Sequence, residues 1–302
     1  MKINSYRFIL FTLLGLLLPS FATAACNDKG VWLQVLGSGG PELDDGRAST
    51  SYLIWVDGKA RVLIDMGAGS MQRYEQSGAS INDLDLILFT HLHVDHSNDL
   101  PALIKASYFS GRERDLPVYG PTGNELMPAM TQFVQRLFGE NGAYRYLSDY
   151  LDGSEDYRLL THDVEADGRK PLRVIDDGKI KITAVPIHHG PVPSLAWRIE
   201  MAGRSMVISG DMNNDYHTLA PLARGADLLI AHHAIPEGAG GAARNLHMPP
   251  SVIGEIAAEA KVGQLVLTHR MNRTLGREEE STAQIRRHYG GKMQFAEDLQ
   301  CF

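Results

Sequence analysis

Cysteine is scarce in this sequence: Cys26 and Cys301 are the two in 302 residues. Neither stands beside a histidine cluster, which argues against a thiol nucleophile paired with a histidine base. In an oxidising compartment the two cysteines could form a disulfide that links the ends of the chain; the alternative is two unpaired thiols.

Basic residues are outnumbered, and no run of them occurs. The chain has 29 Lys and Arg against 36 Asp and Glu, a formal net charge of −7. Proteins that bind nucleic acid depend on clustered Lys and Arg for their phosphate contacts. The composition therefore argues against a nucleic-acid partner and favours a small-molecule substrate.

Long apolar runs are also absent, with one exception near the N-terminus. Lys2 and Arg7 precede FILFTLLGLLLPSF, and ATA follows it. The run has roughly 14 residues, short of the ~20 that a bilayer span needs, and its flanks are typical of a secretory signal. We expect residues 1–24 to be a cleaved signal peptide, giving a periplasmic or secreted protein without stable membrane association. An anchoring helix or a lipoprotein signal is the alternative.

No Pro-, Gly- or Ser-rich linker divides the rest of the chain, so residues 25–302 are expected to form one domain. Apolar segments such as SYLIWV and RVLI predict strands joined in hairpins, and PPSVIGEIAAEAK predicts a helix. This pattern predicts a layered α/β architecture with mixed sheets. An aromatic-rich helical insert is expected at about residues 110–160.

Histidines concentrate in FTHLHVDHSNDLP, directly after the apolar run LDLILF. A strand that ends here can present His91 and His93 toward one point, and the following turn can bring Asp95 and His96 toward a neighbouring point. Imidazoles and a carboxylate suit zinc, and also iron or manganese. The stretch therefore predicts a metal site, with a histidine-rich surface loop as the alternative.

HLHVDH has the form HxHxDH, and with it the chain resembles the metallo-β-lactamase-fold hydrolases. LIDMGAG, HHGPVPSLAWRIE, VISGD and LVLTH resemble further motifs of that family and occur in the family's order. The resemblance covers essentially all of the chain after the signal. It implies a four-layered αββα sandwich, with two mixed sheets flanked by helices.

The resemblance also implies a dinuclear site for two divalent ions, with zinc favoured over manganese or iron. The first ion would bind His91, His93 and His189. The second would bind Asp95, His96 and His269, and Asp211 would bridge the two. His188 is the alternative to His189. Asp65 would hold a ligand histidine from behind, or simply form a turn.

NLHMPPSVIGEIAAEAK resembles the tRNase Z and arylsulfatase-like branch, in which a histidine matching His247 assists the leaving group. A helix-capping role is the alternative for His247. Asp95 could orient the hydroxide, so Asp95 and His247 are the candidate catalytic residues. The chain departs from tRNase Z in having no basic, glycine-rich arm. It has instead aromatic residues in or beside the insert that could contact an apolar substrate or simply pack: Phe109, Tyr119, Phe133, Phe138, Tyr144, Tyr146 and Tyr150.

These observations predict an exported hydrolase with a dinuclear metal site, which cleaves a small phosphodiester or sulfate ester by a metal-activated hydroxide. The protein could form a homodimer. A lactonase or β-lactamase, a tRNase Z-like phosphodiesterase, and a non-catalytic metal-binding protein are the alternatives. His232 and His233 end another strand, where they could line the pocket or serve the fold. Three further histidines are expected at the surface: His162, His217 and His288.

Overall fold

The computed structural model describes Cys26 and residues 28–302; the predicted signal peptide lies outside these residues. In the described chain, strands form two mixed sheets. The first has six strands in the order of the sequence: β1 (Val31–Gly37), β2 (Ser51–Val56), β3 (Lys59–Ile64), β4 (Leu86–Leu88), β5 (Leu116–Pro121) and β6 (Leu159–Val164). The first three strands pair antiparallel and the remaining pairs are parallel.

The second sheet has seven strands, again side by side in chain order: β7 (Leu172–Asp176), β8 (Ile180–His189), β9 (Val192–Met201), β10 (Arg204–Ile208), β11 (Leu228–His232), β12 (Gln264–Thr268) and β13 (Lys292–Phe295). From β7 to β10 the pairs are antiparallel, and from β10 to β13 they are parallel. In both sheets a hairpin half leads into a parallel half.

Helices connect the parallel strands: α1 (Ser70–Gln76), α2 (Val94–Ser97), α3 (Leu100–Ser107), α4 (Met130–Phe138), α5 (Asp149–Asp152), α6 (Leu219–Ala223), α7 (Gly241–Leu246), α8 (Pro250–Ala260) and α9 (Glu278–Arg286). Pro101 lies in the first turn of α3, where its missing N–H costs no helical hydrogen bond. Short 3₁₀ turns occupy Ile81–Asp83 and Arg145–Leu147.

Three apolar layers hold the elements together. Side chains alternate along β2, so that Leu53 and Trp55 pack among the residues of α1, α3 and α4, whereas Tyr52 and Ile54 face the second sheet. A third cluster packs α6, α8 and α9 against the outer face of the second sheet. Helix, sheet, sheet and helix therefore stack in that order, and the predicted αββα sandwich is confirmed.

The last residues of the chain close the first sheet. Leu33 and Phe302 exchange backbone hydrogen bonds of 3.1 and 2.8 Å, so the C-terminal residues extend the sheet beyond β1. The structure joins Cys26 and Cys301 in a disulfide. The beginning and the end of the described chain are thereby tied to the same strand.

The aromatic residues near the middle of the chain have different environments. Phe138 and Tyr150 are buried in the core, Tyr119 stacks on His162, and Phe109 and Tyr146 are exposed. Core packing thus accounts for some of this set. Across Cys26 and residues 28–302, no helix combines the length and the apolar character that a bilayer crossing requires.

Candidate metal centre

The candidate ligands lie where strands end at one edge of the sandwich. His91 and His93 follow β4, with Phe89 and Thr90 as the connection, and α2 carries Asp95 and His96. Strand ends of the second sheet complete the group: His189 ends β8, Asp211 follows β10 and His269 follows β12. All seven predicted ligand residues are therefore brought together.

One cluster contains three imidazoles and a carboxylate. The Nδ1 atom of His93 lies 3.1 Å from Nε2 of His91 and 3.4 Å from Nε2 of His189. The Asp211 Oδ2 atom lies 3.9 Å from Nε2 of His91 and 3.8 Å from Nε2 of His189. One ligand atom from each residue lies within 4.8 Å of the others, a spacing that suits a single ion at the centre. We call this group the first cluster.

The second cluster contains two imidazoles and two carboxylates: His96, His269, Asp95 and Asp211. The Asp211 Oδ2 atom lies 3.2 Å from Nε2 of His269 and 3.6 Å from Nε2 of His96. The Asp95 Oδ2 atom lies 3.3 and 3.6 Å from the same two nitrogens. The same oxygen of Asp211 thus faces both clusters, as a bridging ligand would.

Ligand rings are held by hydrogen bonds on the nitrogen that faces away from the clusters. His96 Nδ1 lies 2.8 Å from Asp65 Oδ2, and Asp65 also accepts hydrogen bonds from the backbone N–H and the hydroxyl of Thr90, each 2.7 Å long. His189 Nδ1 donates to the Leu246 carbonyl over 2.9 Å. These contacts fix the tautomers so that Nε2 points into the clusters. Asp65 is therefore more than a turn residue.

Two loop conformations at the site are unusual for residues other than glycine. Asp65 has φ 54° and His269 has φ 52°, both in the left-handed region. Such backbone conformations cost free energy and persist where the surrounding structure holds them. Each residue directly follows a buried strand. The Asp65 side chain contacts His96 from behind, and the His269 side chain lies in the second cluster.

Buried charge sets the protonation of the site. Burial lowers the pKa of His91 well below its usual value, and the neighbouring imidazoles of His96 and His189 lower it further. At His96 burial acts in the same direction, but the carboxylates of Asp95, Asp65 and Asp211 outweigh it and raise the pKa. For the same reason the pKa of His269 is raised to about 9, chiefly by Asp211 against the effect of burial.

The donor set fits divalent cations. Nε2 of His96 and Nε2 of His269 are buried and have no hydrogen-bond partner, although unpaired buried polar atoms are costly. Nearby histidines keep the pKa of Asp211 well below its usual value despite burial, so its carboxylate is ionised. Imidazole nitrogens and carboxylate oxygens converging without other partners are the ligands of zinc and similar ions.

His247 lies between α7 and α8 at the side of the clusters. Its ring is buried, 5.5 Å from that of His189 and 5.7 Å from that of His269, and its Nδ1 lies 4.0 Å from Asp211 Oδ2. Burial lowers the pKa of His247 to about 3, so the ring is neutral at neutral pH. The predicted catalytic histidine therefore faces the site and carries one N–H that it can donate.

Five further histidines lie outside the two clusters. His188 points away from the clusters, with Nδ1 3.8 Å from Asp215 and its side chain 24% exposed, so His189 is the member of the pair inside the first cluster. His162, His217 and His288 are exposed. His233 is completely buried beside the Phe295 ring.

His232 and Tyr52 are site residues that the sequence reasoning did not assign. His232 Nδ1 lies 2.7 Å from Asp211 Oδ1, and His232 is close enough to His96, Asp211 and His269 to share an ion with them. Its position at the end of an apolar strand was a signal for this. Tyr52 lies in the middle of the sequence-predicted strand SYLIWV, and nothing local distinguishes it from a core residue.

Comparisons with known proteins agree on the family. The model of the Beta-lactamase superfamily domain matches residues 60–270. Ribonuclease Z of Mycolicibacterium paratuberculosis is 30% identical over 285 residues, covering 88% of this chain and 95% of that protein. A Ribonuclease Z of Mycobacterium sp. (strain KMS) is 32% identical, covering 78% of this chain and 82% of that protein.

Solved structures show the same fold. Human tRNase Z, short form, superimposes with a TM-score of 0.68 at 22% identity, covering 90% of this chain and 98% of that one. The metallo-beta-lactamase fold protein YhfI from Bacillus subtilis superimposes with a TM-score of 0.69 at 22% identity and the same coverage.

The fold and the ligand cluster thus define a metal-dependent hydrolase of the metallo-β-lactamase fold. The chain belongs to the beta-lactamase superfamily, in the branch that contains tRNase Z. The resemblance to the metallo-β-lactamase-fold hydrolases and the resemblance to their tRNase Z branch are both confirmed.

Two expectations were wrong. A small phosphodiester or sulfate ester was predicted as the substrate, and nucleic acid was excluded as a partner. The relatives that match most of the chain are instead named Ribonuclease Z. The exclusion relied on net charge and on the missing basic arm, but net charge averages over a surface and says little about a few groups at one site. The lactonase and β-lactamase alternatives fall with the same finding.

Proposed function

We propose that this chain is a ribonuclease Z-like phosphodiesterase that hydrolyses a phosphodiester bond in RNA. The observation that carries the proposal is the relationship to Ribonuclease Z over 88% of the chain. Phosphodiester hydrolysis needs stabilisation of charge on the phosphate and a proton or hydrogen bond for the leaving oxygen. The candidate site offers groups for both.

We propose that the site holds two divalent ions, with zinc the first choice because imidazole nitrogens dominate the donor set. His91, His93 and His189 would hold one ion, Asp95, His96 and His269 the other, and Asp211 both. When bound, such ions stabilise negative charge on the reacting phosphate. Elemental analysis of the purified protein tests this: two ions per chain are expected, and fewer than one after zinc reconstitution would contradict it.

His247 is proposed to act on the leaving oxygen. The buried neutral ring donates its N–H to the oxygen as negative charge develops on it. Asp95 lies within 3.6 Å of both imidazoles of the second cluster, where its carboxylate can orient the attacking water. His247→Ala is therefore expected to lower kcat while metal content stays unchanged.

The decisive assay uses a tRNA precursor transcript labelled at either end, incubated with the zinc-loaded protein. Cleavage at one position is expected, and the denatured transcript should be a poor substrate. His189→Ala should abolish cleavage, whereas His188→Ala, its sequence neighbour with a side chain outside the clusters, should retain it. Hydrolysis of aryl sulfates without cleavage of any RNA would refute the proposal.

We further propose that residues 1–24 are removed as an export signal and that residues 25–302 form the mature hydrolase domain. The charged start, the apolar run and the small residues before Cys26 support this, and the disulfide suits an oxidising compartment. N-terminal sequencing of the protein recovered from periplasm and from cytoplasm tests it. Recovery of the full-length chain from the cytoplasm alone would contradict export.

A further inference from the structure

The Tyr52 hydroxyl lies between the two sheets, next to the metal centre. Tyr52 belongs to β2 of the first sheet and is completely buried. Its oxygen lies 2.8 Å from Nε2 of His232 and 2.7 Å from Oγ1 of Thr268, residues that end β11 and β12 of the second sheet. One phenol thus connects the first sheet to two strands of the second sheet that end beside the metal centre.

The hydrogen bonds at His232 have a defined direction. The Asp211 carboxylate can only accept, so His232 Nδ1 carries the proton in the 2.7 Å contact with Asp211 Oδ1. Nε2 of the neutral ring is then an acceptor and receives the Tyr52 hydroxyl proton. The Tyr52 oxygen in turn accepts from Thr268. The chain of donors runs Thr268, Tyr52, His232 and Asp211.

This chain engages Oδ1 of Asp211 and leaves Oδ2 for the clusters. Oδ2 lies 3.2 Å from Nε2 of His269 and 3.8 Å from Nε2 of His189, one residue from each cluster. A carboxylate without the contact to His232 could rotate about its Cβ–Cγ bond and lose this orientation. Both ring nitrogens of His232 are occupied by hydrogen bonds, whereas Nε2 of His96 and Nε2 of His269 have no hydrogen-bond partner.

We infer that Tyr52 is a positioning residue for the metal centre, acting through His232 to fix the bridging carboxylate of Asp211. The inference rests on the proposed dinuclear site and not on the identity of the substrate. Partners that orient metal ligands typically change metal affinity by about 10- to 100-fold when they are removed. Tyr52 does this from the opposite sheet, so the packing of the sandwich and the shape of the metal site are coupled.

The first test compares Tyr52→Phe with Tyr74→Phe. Tyr74 is a matched control. Its phenol is also buried, but it has no hydrogen-bond partner and lies in the apolar layer on the outer face of the first sheet. Zinc affinity is measured by competition with a chromophoric chelator. Tyr52→Phe should weaken zinc binding by about tenfold or more, and Tyr74→Phe should leave it unchanged. Thr268→Ser, which keeps the hydroxyl, should bind zinc as the unaltered protein does, whereas Thr268→Val should bind it more weakly.

The second test separates positioning from a purely structural role. His232→Asn can keep an N–H near the Asp211 carboxylate, but its side chain ends one atom short of the position of Nε2, so the acceptor that faces Tyr52 is lost. If Tyr52 acts through His232, Tyr52→Phe has no further effect on zinc affinity in the His232→Asn protein; independent effects would multiply. A loss of thermal stability in Tyr52→Phe with unchanged zinc affinity would overturn the inference.

Zinc alone is the probe in both tests, so the outcome is distinguishable from that of the RNA assay. An unaltered protein that binds zinc but cleaves no RNA would sink the proposed function and leave the role of Tyr52 to be read from the variants. Failure of the unaltered protein to bind zinc would overturn the metal centre and this inference together.

Discussion

The two clusters share one carboxylate oxygen but differ in charge. The first cluster adds three imidazoles to Asp211, and burial lowers the pKa of each of its histidines. The second adds Asp95, and there the carboxylates overcome burial and raise the pKa of His96 and His269. Protonation of the histidines is therefore disfavoured in the first cluster and favoured in the second.

This difference has a physical origin in the elements that supply the ligands. The histidines of the first cluster come from a loop and from the end of β8, next to one another and with one carboxylate between them. The second cluster is assembled around α2, whose first turn carries Asp95, with Asp65 behind His96. The second cluster offers a divalent ion two carboxylates, those of Asp95 and Asp211, whereas the first cluster offers the carboxylate of Asp211 alone. We expect the second cluster to bind the first equivalent of zinc more tightly.

Removal of the shared carboxylate should have the largest effect. Asp211→Ala deprives both clusters of a ligand, so zinc content should fall toward zero. Metal stabilisation of the transition state amounts to several kcal/mol, so RNA cleavage should fall by about 10³-fold or more. Elemental analysis and single-turnover cleavage check both statements. Retention of two ions per chain would show that Asp211 is not the bridge.

Single ligand substitutions should separate the two clusters. His189→Ala should release the ion of the first cluster and leave about one zinc per chain in the second, since its own ligands are intact. His269→Ala should weaken binding of the tighter equivalent. Isothermal titration with zinc distinguishes them, with His188→Ala as the control that leaves both equivalents in place. Equal affinities for the two equivalents in the unaltered protein would remove the proposed asymmetry.

The disulfide between Cys26 and Cys301 should stabilise the fold, and it holds the C-terminal residues that pack near His269. The residues before Cys301 brace that side: Asp298 accepts hydrogen bonds from the backbone of Ser38 and Ala48, and the Ser38 carbonyl accepts from Arg270. Cys301→Ser should lower the free energy of unfolding of the metal-free protein by about 3 kcal/mol. Urea denaturation measures this, and the unaltered protein with a dithiol reductant should behave in the same way. An unchanged midpoint in both would contradict it.

The sequence was sufficient for the parts of the site that are written in short motifs. Strand periodicity predicted a layered α/β architecture. HLHVDH and the later motifs carried the resemblance that implied the sandwich, and His189, Asp211 and His269 matched that resemblance at the ends of apolar strands. These signals are local, because a ligand at the end of a buried strand is marked by the apolar run before it.

The contacts that depend on the packing of the two sheets could not be read in this way. Tyr52 meets His232 and Thr268 across 180 and 216 positions of the chain, and the choice of Tyr rather than Phe in a core strand carries no visible period. The substrate class was also misjudged, because composition describes the whole surface and recognition depends on a few groups near the site.

Substitution of His233 should have the smallest effect on stability. It tests what burial does to the pKa of a histidine that has no carboxylate beside it. Both ring nitrogens are buried without hydrogen-bond partners, and burial lowers its pKa to about 3, with a minor contribution from Arg270. In the unfolded chain the ring titrates near 6.5. Below pH 6.5 the His233 ring is protonated in the unfolded chain but stays neutral in the folded protein. The folded protein therefore loses stability as the pH falls toward 3.

Between pH 7 and pH 5 this one histidine should lower the free energy of unfolding by about 2 kcal/mol. In His233→Leu that contribution is removed, so the metal-free variant should lose less stability than the unaltered protein over the same interval. At pH 7 the variant should be no less stable, since no hydrogen bond is lost and two unpaired nitrogens are removed. Urea denaturation at the two pH values measures the difference. Parallel losses in the two proteins would mean that His233 gains a proton or a partner in the folded state, and burial alone would then not explain the charge difference between the two clusters.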